Sequence, residues 1–397
     1  MNSNDERRQA WAYLSRVFEG PSKELTALLA EGHEPEAIAC GIKRREAWIG
    51  DLLKHTQSRY SHDCAAQDLA TAAALGGRLI CPDDSEWPAE VLDAAFGFAA
   101  SGQSEHLRSY QNDAAPPHAL WVRGANVRSL CAQVVAIVGT RAASTYGIQA
   151  TRLISAGLAD QHWTLISGGA MGIDSVVHQE ALHRGGATLV VQACGLDQTY
   201  PRRNRDLFHT IAQRNNCALV SEYPPGATPH RHRFLTRNRL VAALSHGTVV
   251  VEAAWRSGAL NTLSWAAALG KVAMAVPGPI TTVNSLGCHE RIRNGDAVMV
   301  CSAEEVRQLL SKIGEVDVGA QYEMQFAATT VQKLSQNEMR VFDATGSHPL
   351  TTEKLAEEAG LTVGLTVHLL LTLSKQGLVS RVGNTWCRNP PATKQAG

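Results

Sequence analysis

Short apolar runs alternate with stretches of helical spacing through the middle of the chain. From Val134 to about Ile313 each run is rich in β-branched residues and apolar on both faces, which is typical of parallel strands covered by helices on both sides. Amphipathic stretches of helical length separate the runs and favour βαβ units. The predicted strands are Val134–Val138, Thr164–Ser167, Thr188–Ala193, Ala218–Ser221, Thr248–Glu252, Val272–Val276 and Val298–Cys301.

The pattern differs on either side of this region. Residues 1–85 have the apolar spacing of helices and predict a small helical domain. Residues 86–133 are irregular and are grouped with the strands, so that one domain covers 86–313. Residues 314–332 have no clear period and predict a linker. In residues 333–397, three helical stretches and a hairpin around Gly383-Asn384 predict a winged helix.

The expected fold class is therefore α/β, an extended Rossmann-like, doubly wound and mostly parallel sheet. Of the 397 residues, 44% are apolar and 19% charged, an ordinary globular balance. We find no apolar run of about 20 residues and no signal-peptide pattern, and so expect a cytoplasmic protein outside the membrane. Nine scattered cysteines without Cys-x-x-Cys spacing predict neither disulfides nor a metal site, and we expect no cofactor.

The charge distribution points to an anion. The formal net charge is zero, yet the segment from Tyr200 to Leu240 has eight arginines against two acids, Asp206 and Glu222. A neutral protein with one strongly positive segment is expected to have a local anion site.

Ligands of an open parallel sheet collect beyond the carboxyl ends of its strands. Glycines there leave main-chain N–H groups unobstructed, and a helix that follows adds its positive end. The sequence has no Gly-x-Gly-x-x-Gly after the first strand, which disfavours a dinucleotide. The candidate phosphate-binding residues in the first two loops are Gly139, Thr140, Arg141, Ser167, Gly168 and Gly169.

An arginine-rich run adds further candidates. Arginine pairs with phosphate through a planar fork, and an exposed phenylalanine can stack on a base. The run contributes Arg231, Arg233, Phe234, Arg237, Asn238 and Arg239, and a later helix opens with Ser257 and Gly258. Asp174 and His178 follow the glycine-rich loop, and we interpret them as a helix-stabilising acid and a polar packing partner.

Taken in order, these loops resemble the DprA/Smf (DNA-processing protein A) family. The resemblance covers about Pro88 to Cys301. It rests on Ile137–Arg141, Ser167–Gly172 with Asp174 and His178, Tyr200-Pro201 with Asn204, Ser221–Gly226, Arg237–Arg239, Val251–Ala253, Ser257-Gly258 with Thr262, and Val276–Gly278.

The resemblance implies a single-stranded DNA-binding recombination mediator, usually a dimer, that helps load RecA recombinase during DNA uptake. On this basis Arg141, Ser167 and Gly168 would hold phosphates, and Phe234, Arg237 and Arg239 would follow the strand. The chain departs from the family at Met171, where a basic residue is common. It departs again at Leu235-Thr236, which replaces Pro-Arg; Arg231 and Arg233 are candidates to compensate.

Two other functions stay open from the sequence. A nucleotide-processing hydrolase of the phosphoribohydrolase type would use Glu252 or Glu222 as acid or base. A transcription regulator would read duplex DNA through the winged helix, but the candidate recognition helix Thr366–Gln376 offers mainly His368 and Lys375. We therefore favour binding over catalysis, and a protein-contact or auxiliary role for the winged helix.

Overall fold

The computed structural model describes residues 3–104, 113–311 and 330–390. Its contacts divide the chain into two units, residues 1–316 and residues 317–397. Most of the predicted linker, residues 314–332, lies outside the described residues. Where the individual domains begin and end therefore stays a prediction.

Among the described residues of the first unit, nine strands form one sheet. They are β1 (Gly77–Ile80), β2 (Leu120–Gly124), β3 (Val134–Val138), β4 (Thr164–Ser167), β5 (Thr188–Gln192), β6 (Cys217–Ser221), β7 (Gly247–Val250), β8 (Val272–Ala275) and β9 (Val298–Met299). Their order across the sheet is β1-β2-β6-β5-β4-β3-β7-β8-β9. Strands β3 to β9 run parallel, whereas β2 pairs antiparallel with β6 and β1 antiparallel with β2.

Helices cover both faces of this sheet. The helices in the described residues of the first unit are α1 (Ser3–Phe18), α2 (Lys23–Ala30), α3 (Pro35–Arg44), α4 (Leu52–His55), α5 (Ala65–Ala74), α6 (Ala89–Ala100), α7 (Val127–Leu130), α8 (Thr145–Asp160), α9 (Ile173–His183), α10 (Arg205–Gln213), α11 (Arg231–Ala243), α12 (Gly258–Ala268), α13 (Leu286–Arg293) and α14 (Ala303–Leu310). Single 3₁₀ turns occur at Ala47–Ile49, Arg202–Asn204 and Val283–Ser285.

Strand β3 illustrates why these residues form a doubly covered sheet. Successive side chains of a strand point to opposite faces. Val134, Ala136 and Val138 join the core that includes α11 and α12, whereas Val135 and Ile137 join the core beneath α8, α9 and α14. The predicted α/β class with a doubly wound, mostly parallel sheet is confirmed, and each predicted strand ends within two residues of its observed position.

The antiparallel edge of the sheet was not predicted. Strand β1 lies inside the segment predicted to be helical, and β2 inside the segment predicted to be irregular. Both are short, and each includes a glycine and an arginine, so neither has an apolar alternation long enough to stand out. The N-terminal helices pack against these two strands, and the Trp121 indole N–H donates to the Ser15 hydroxyl at 2.9 Å.

The second unit has the predicted order of three helices and a hairpin. Its elements are α15 (Gln336–Ala344), β10 (Leu350–Thr351), α16 (Thr352–Ala359), α17 (Val363–Lys375), β11 (Val379–Val382) and β12 (Thr385–Arg388), after a 3₁₀ turn at Val331–Lys333. Strand β12 lies between β10 and β11, and Leu370, Leu373 and Trp386 lie in the small core. The assignment of this unit as a winged helix stays a prediction.

No single helix in the described residues is both long and apolar enough to cross a membrane. The pair α16 and α17 reaches the required length and composition together, but the two helices meet at a bend of 101°.

Candidate nucleic-acid interface

Loops at the carboxyl edge of the sheet surround a small pocket of about 50 Å³. Because one buried water needs roughly 10–15 Å³, the pocket takes a group of a few non-hydrogen atoms. The lining comes from the loops after β3, β4 and β5 and from the first turns of α11. The lining residues are Arg141, Gly168, Ala170, Met171, Tyr200, Pro201, Phe234 and Arg237.

Glycines allow these loops to touch. Gly172 has a φ of +80°, and a β-carbon there would lie 2.3 Å from the carbonyl oxygen of Thr140, so the β3 and β4 loops meet at this point. A β-carbon on Gly168 would lie 2.1 Å from Nη1 of Arg237. The glycines therefore have a steric role that the sequence did not reveal: they admit the neighbouring loop and the Arg237 guanidinium.

Arg237 lies at the base of the pocket with its side chain almost entirely removed from water, 5% exposed. Its Nη1 donates to the Val191 carbonyl at 2.6 Å, while Nε has no partner among the described residues. Burial lowers the pKa of Arg237, and the nearby Asp174 carboxylate opposes that shift. A guanidinium held this way can bind an anion without first losing a hydration shell.

Two aromatic rings and a second arginine form the pocket mouth. The rings of Tyr200 and Phe234 are 5.2 Å apart at an angle of 47°, and the guanidinium carbon of Arg141 lies 5.5 Å from the Phe234 ring centre. Tyr200 is 41% exposed. The mouth thus offers a stacking surface for a base next to a cation, the two contacts that single-stranded nucleic acid needs.

Further arginines near the carboxyl edge keep their charge available. In the described part of the chain they are exposed and no acidic group lies within 4.0 Å of them, the distance that defines an ion pair. These arginines are Arg141, Arg202, Arg203, Arg205, Arg231 and Arg256.

Arg239 is not part of this surface, which corrects its assignment to the DNA path. Its side chain has no exposure, and its Nη2 donates at 2.5 Å to the equally buried Glu222 carboxylate. In a helix, residues two positions apart face different directions, so Arg239 turns into the core when Arg237 faces the pocket. The run Arg237-Asn238-Arg239 therefore supplies one pocket cation instead of two.

Arg233 also differs from the expectation. Its Nη2 donates to Glu19 of the N-terminal region at 2.6 Å, its guanidinium lies 5.2 Å from the Tyr223 ring, and its side chain is 12% exposed. A charge engaged in this way cannot replace the basic residues that the resemblance leads us to expect at positions 171 and 236. Arg231, two residues earlier, is exposed and keeps that role as a candidate.

The remaining predicted residues mostly shape the loops. The Ser167 hydroxyl is buried and donates to the Ile137 carbonyl at 2.7 Å, so it is not available to a phosphate. Asn238 joins α11 to α12 through the Asn261 side chain at 3.0 Å. The Ser257 hydroxyl accepts from the Ala259 N–H at 3.3 Å and caps α12.

The other predicted glycines and Thr140 lie where their loops turn. A β-carbon on Gly139 would meet Ile173, and one on Gly169 would meet Phe208. Gly258 is exposed with open space around it, and Thr140 is partly exposed in the β3 loop. These positions leave room for main-chain contacts with a ligand, which stay a prediction.

His178 has the polar packing role that was expected, whereas Asp174, expected to stabilise the first turn of its helix, contacts the loop before that helix. Asp174 accepts from the Ala170 N–H at 3.2 Å and holds the β4 loop in place. His178 is buried and its Nδ1 lies 2.7 Å from the Thr188 hydroxyl. No cluster of three metal-binding side chains occurs within the described ranges.

Glu252 and Glu222, the acid–base candidates of the enzymatic alternative, lie away from the pocket. Glu252 is 1% exposed and accepts from both the main-chain N–H and the hydroxyl of Ser144 at the start of α8. Glu222 is buried against Arg239. Neither carboxylate lines the pocket, so neither is placed to act on a group bound there.

Tyr200 is a pocket residue that was not selected from the sequence. It belongs to the motif Tyr200-Pro201, which follows β5 and carried part of the family resemblance. Tyr200 could have been selected from its position after a parallel strand, because residues at that position lie at the same edge of the sheet as Arg141.

The fold and the pocket define a Rossmann-like protein with an arginine-lined, aromatic site at the carboxyl edge of its sheet. A family model described as DNA recombination-mediator protein A matches residues 78–311. The chain is 41% identical over 385 residues to a putative DNA processing protein DprA of Mycobacterium tuberculosis, covering 96% of this chain and 94% of that protein. The chain belongs to the DNA recombination-mediator protein A family.

This assignment confirms the predicted resemblance, and further proteins are similar to the chain. Protein Smf of Escherichia coli is 35% identical over 272 residues, 68% of this chain and 72% of that protein. The structure of DprA from Streptococcus pneumoniae matches with a TM-score of 0.60 and 27% identity, covering 76% of this chain and 98% of that one. A DNA processing protein A from Helicobacter pylori, described for its single-stranded DNA binding mode, matches with a TM-score of 0.44 and 29% identity over 51% of this chain and 88% of that one.

Proposed function

We propose that this protein binds single-stranded DNA at the pocket between Arg141 and Arg237 and acts as a recombination mediator. The observation that carries the proposal is the almost buried Arg237 guanidinium at the pocket base, with Arg141 and Phe234 at its mouth. A backbone phosphate would enter the pocket, and the adjacent base would stack on Phe234 and Tyr200.

The geometry favours single strands over duplex DNA. A ring face can be offered to a base only when that base is free of its own stack, which is the normal state of single-stranded DNA. In α17, the candidate recognition helix, the exposed side chains include Val363, Val367 and Leu371. Apolar side chains cannot form the hydrogen bonds that read base edges in a major groove, so this favours a protein-contact role for the winged helix.

Binding without catalysis is also part of the proposal. The pocket lining contains two arginines and two aromatic residues but no carboxylate, and the acids considered for catalysis are engaged elsewhere. Such a lining supports capture of a phosphodiester and offers no evident general base for its hydrolysis.

We also propose RecA recombinase and a second copy of the chain as partners, with action in the cytoplasm. The main support for these partners is the family resemblance. The exposed apolar residues of edge strand β9, Val298 and Met299, are compatible with a partner on that side of the sheet.

The test is oligonucleotide binding by fluorescence anisotropy, with labelled single strands of different base sequence and a matched duplex. Wild type is expected to bind all single strands similarly and duplex less well. Arg141→Ala should weaken binding by about 1–3 kcal/mol, the scale of a charge-assisted contact. Arg214→Ala is the matched control, because Arg214 is exposed just before β6, at the opposite edge of the sheet.

Two outcomes would contradict the proposal. Hydrolysis of nucleotides without affinity for oligonucleotides would favour the enzyme. Tight preference for one duplex sequence would favour the transcription regulator, with the Rossmann-like unit in a sensing role.

A further inference from the structure

The β7 loop, which neighbours the β3 loop, presents a large aromatic side chain to solvent. Trp255 is 56% exposed, and within the described residues neither its ring nor its indole N–H has a stacking or hydrogen-bonding partner. Of the eight tryptophans in the chain, it and Trp48 are the two that are extensively exposed. An exposed indole offers a large flat ring on which an unpaired base can stack.

The loop that carries Trp255 is tied to the loop that carries Arg141. Strands β3 and β7 are neighbours in parallel register. The Thr140 N–H donates to the Glu252 carbonyl at 2.7 Å, and the Glu252 carboxylate accepts from the Ser144 N–H at 3.0 Å. The β7 loop is also held from its other side, because the Ala253 N–H donates to the main-chain carbonyl of Asn284 at 2.7 Å. Trp255 therefore belongs to a loop that these hydrogen bonds hold next to the β3 loop.

Two features that follow Trp255 in the chain, a guanidinium and a helix start, can also contact a nucleotide. Arg256 is exposed and forms no ion pair in the described part of the chain. The helix α12 begins two residues later, where Ser257 is the cap and Gly258 leaves the main chain uncovered. A flat apolar ring, a free guanidinium and accessible main-chain donors are what one nucleotide of a single strand contacts.

We propose that Trp255 and Arg256 form a second nucleotide subsite, in which the indole stacks on a base and the guanidinium binds the adjoining phosphate. This inference rests on the proposed function and extends it: the strand would leave the Arg141 pocket, cross the β3 loop and reach the β7 loop. Trp255 is then a binding residue for an unpaired base, and the footprint on DNA is longer than the Arg141 pocket alone requires.

The experiment compares Trp255→Ala with Trp48→Ala, which removes an equally large exposed indole from the N-terminal helical region. Each variant and wild type is titrated with a labelled oligothymidylate and with an abasic strand of the same length. For Trp255→Ala we expect affinity for oligothymidylate to fall about tenfold, in the range for one lost base–aromatic stack. Affinity for the abasic strand should change less than twofold, and Trp48→Ala should match wild type on both.

A spectroscopic measurement separates stacking from a loss of structure. Binding of oligothymidylate should quench tryptophan emission in wild type, and Trp255→Phe should lose most of that quenching while it keeps most of the affinity. Equal weakening on both strands, or unchanged quenching in Trp255→Phe, would overturn the subsite. A change in oligomeric state without a change in DNA affinity would also overturn it and would make Trp255 a contact between copies of the chain.

Failure of the Trp255 subsite can be told apart from failure of the proposed function. If wild type binds single strands and Arg141→Ala weakens that binding, the pocket stands even when Trp255→Ala has no effect.

Discussion

Arg239 and Glu222 form an ion pair in the interior of the protein, with 2.5 Å between guanidinium nitrogen and carboxylate oxygen and almost no exposure of either side chain. The pair joins α11 to the end of β6. Glu222 Oε2 and the Nε and Nη1 atoms of Arg239 have no hydrogen-bond partner among the described residues. The pair is thus strongly coupled but incompletely satisfied, which makes its two members sensitive to single substitution.

We predict that Arg239→Ala lowers the free energy of unfolding by about 3–5 kcal/mol, because it leaves the Glu222 carboxylate buried without a counter-charge. Urea denaturation followed by intrinsic fluorescence measures the change. The folded fraction should still bind single-stranded DNA almost as wild type does, since Arg239 does not reach the pocket. In contrast, Arg237→Ala should weaken DNA binding strongly.

The control replaces both members of the pair. Arg239→Met combined with Glu222→Leu removes both charges and keeps the volume, and should cost less stability than Arg239→Ala. If Arg239→Ala stayed as stable as wild type but bound oligonucleotide poorly, Arg239 would belong to the DNA path after all.

A second prediction concerns stability in mild acid. Burial and the nearby Arg237 lower the pKa of His178 to about 3, whereas an unfolded histidine has a pKa of about 6.5. Between these values the unfolded chain binds a proton that the native state does not, so stability falls as the pH drops below about 6.5. The loss is about 1.4 kcal/mol per pH unit for one such histidine.

The measurement is the difference in unfolding free energy between pH 7.5 and pH 5.5. His178→Asn keeps a polar group near Thr188 but does not titrate, so it should lose about 1.4 kcal/mol less than wild type over this interval. His209→Asn, at an exposed site on α10, is the matched control. Identical pH dependence in wild type and His178→Asn would refute the prediction.

The arginine-rich run shows which features of the site could be predicted from the sequence and which could not. Strand patterns placed the loops after β3, β4 and β5 correctly, because parallel strands bring their carboxyl ends to one edge. A count of arginines could not separate Arg237 from Arg239 or find Glu19 beside Arg233, since those partners depend on helix orientation and on contacts distant in the chain. The strands β1 and β2 were missed for a related reason: their pairing is long-range and their local pattern is weak.

A third prediction is that Tyr200 and Phe234 act as one stacking surface. Tyr200→Ala and Phe234→Ala should each weaken single-strand binding by about 1–3 kcal/mol, the value of one base–aromatic stack. Because the two rings are in contact at 5.2 Å, the double variant should lose less than the sum of the single losses. Tyr200→Phe should bind like wild type. Strict additivity in a double-mutant cycle would instead assign the two rings to separate bases.

The last prediction concerns positions 171 and 236, where the family resemblance leads us to expect a basic residue and this chain has Met171 and Thr236. Met171 lines the pocket beside Arg237 and Arg141, so Met171→Lys would place an ammonium group where the phosphate is expected. The Thr236 hydroxyl instead donates to the Asp113 carboxylate at 3.3 Å. An arginine introduced at position 236 would therefore pair with Asp113 and not with the DNA.

We therefore expect Met171→Lys to bind single-stranded DNA more tightly, with a plot of log affinity against log salt steeper by about 0.7, the value for one more phosphate contact. Thr236→Arg should change the slope little, because its charge is offset by Asp113. Anisotropy titrations across a series of salt concentrations give both quantities for the same oligonucleotide. A steeper slope for Thr236→Arg, with none for Met171→Lys, would move the phosphate path from the pocket to the Asp113 side of α11, since each added charge reports only on phosphates within its reach.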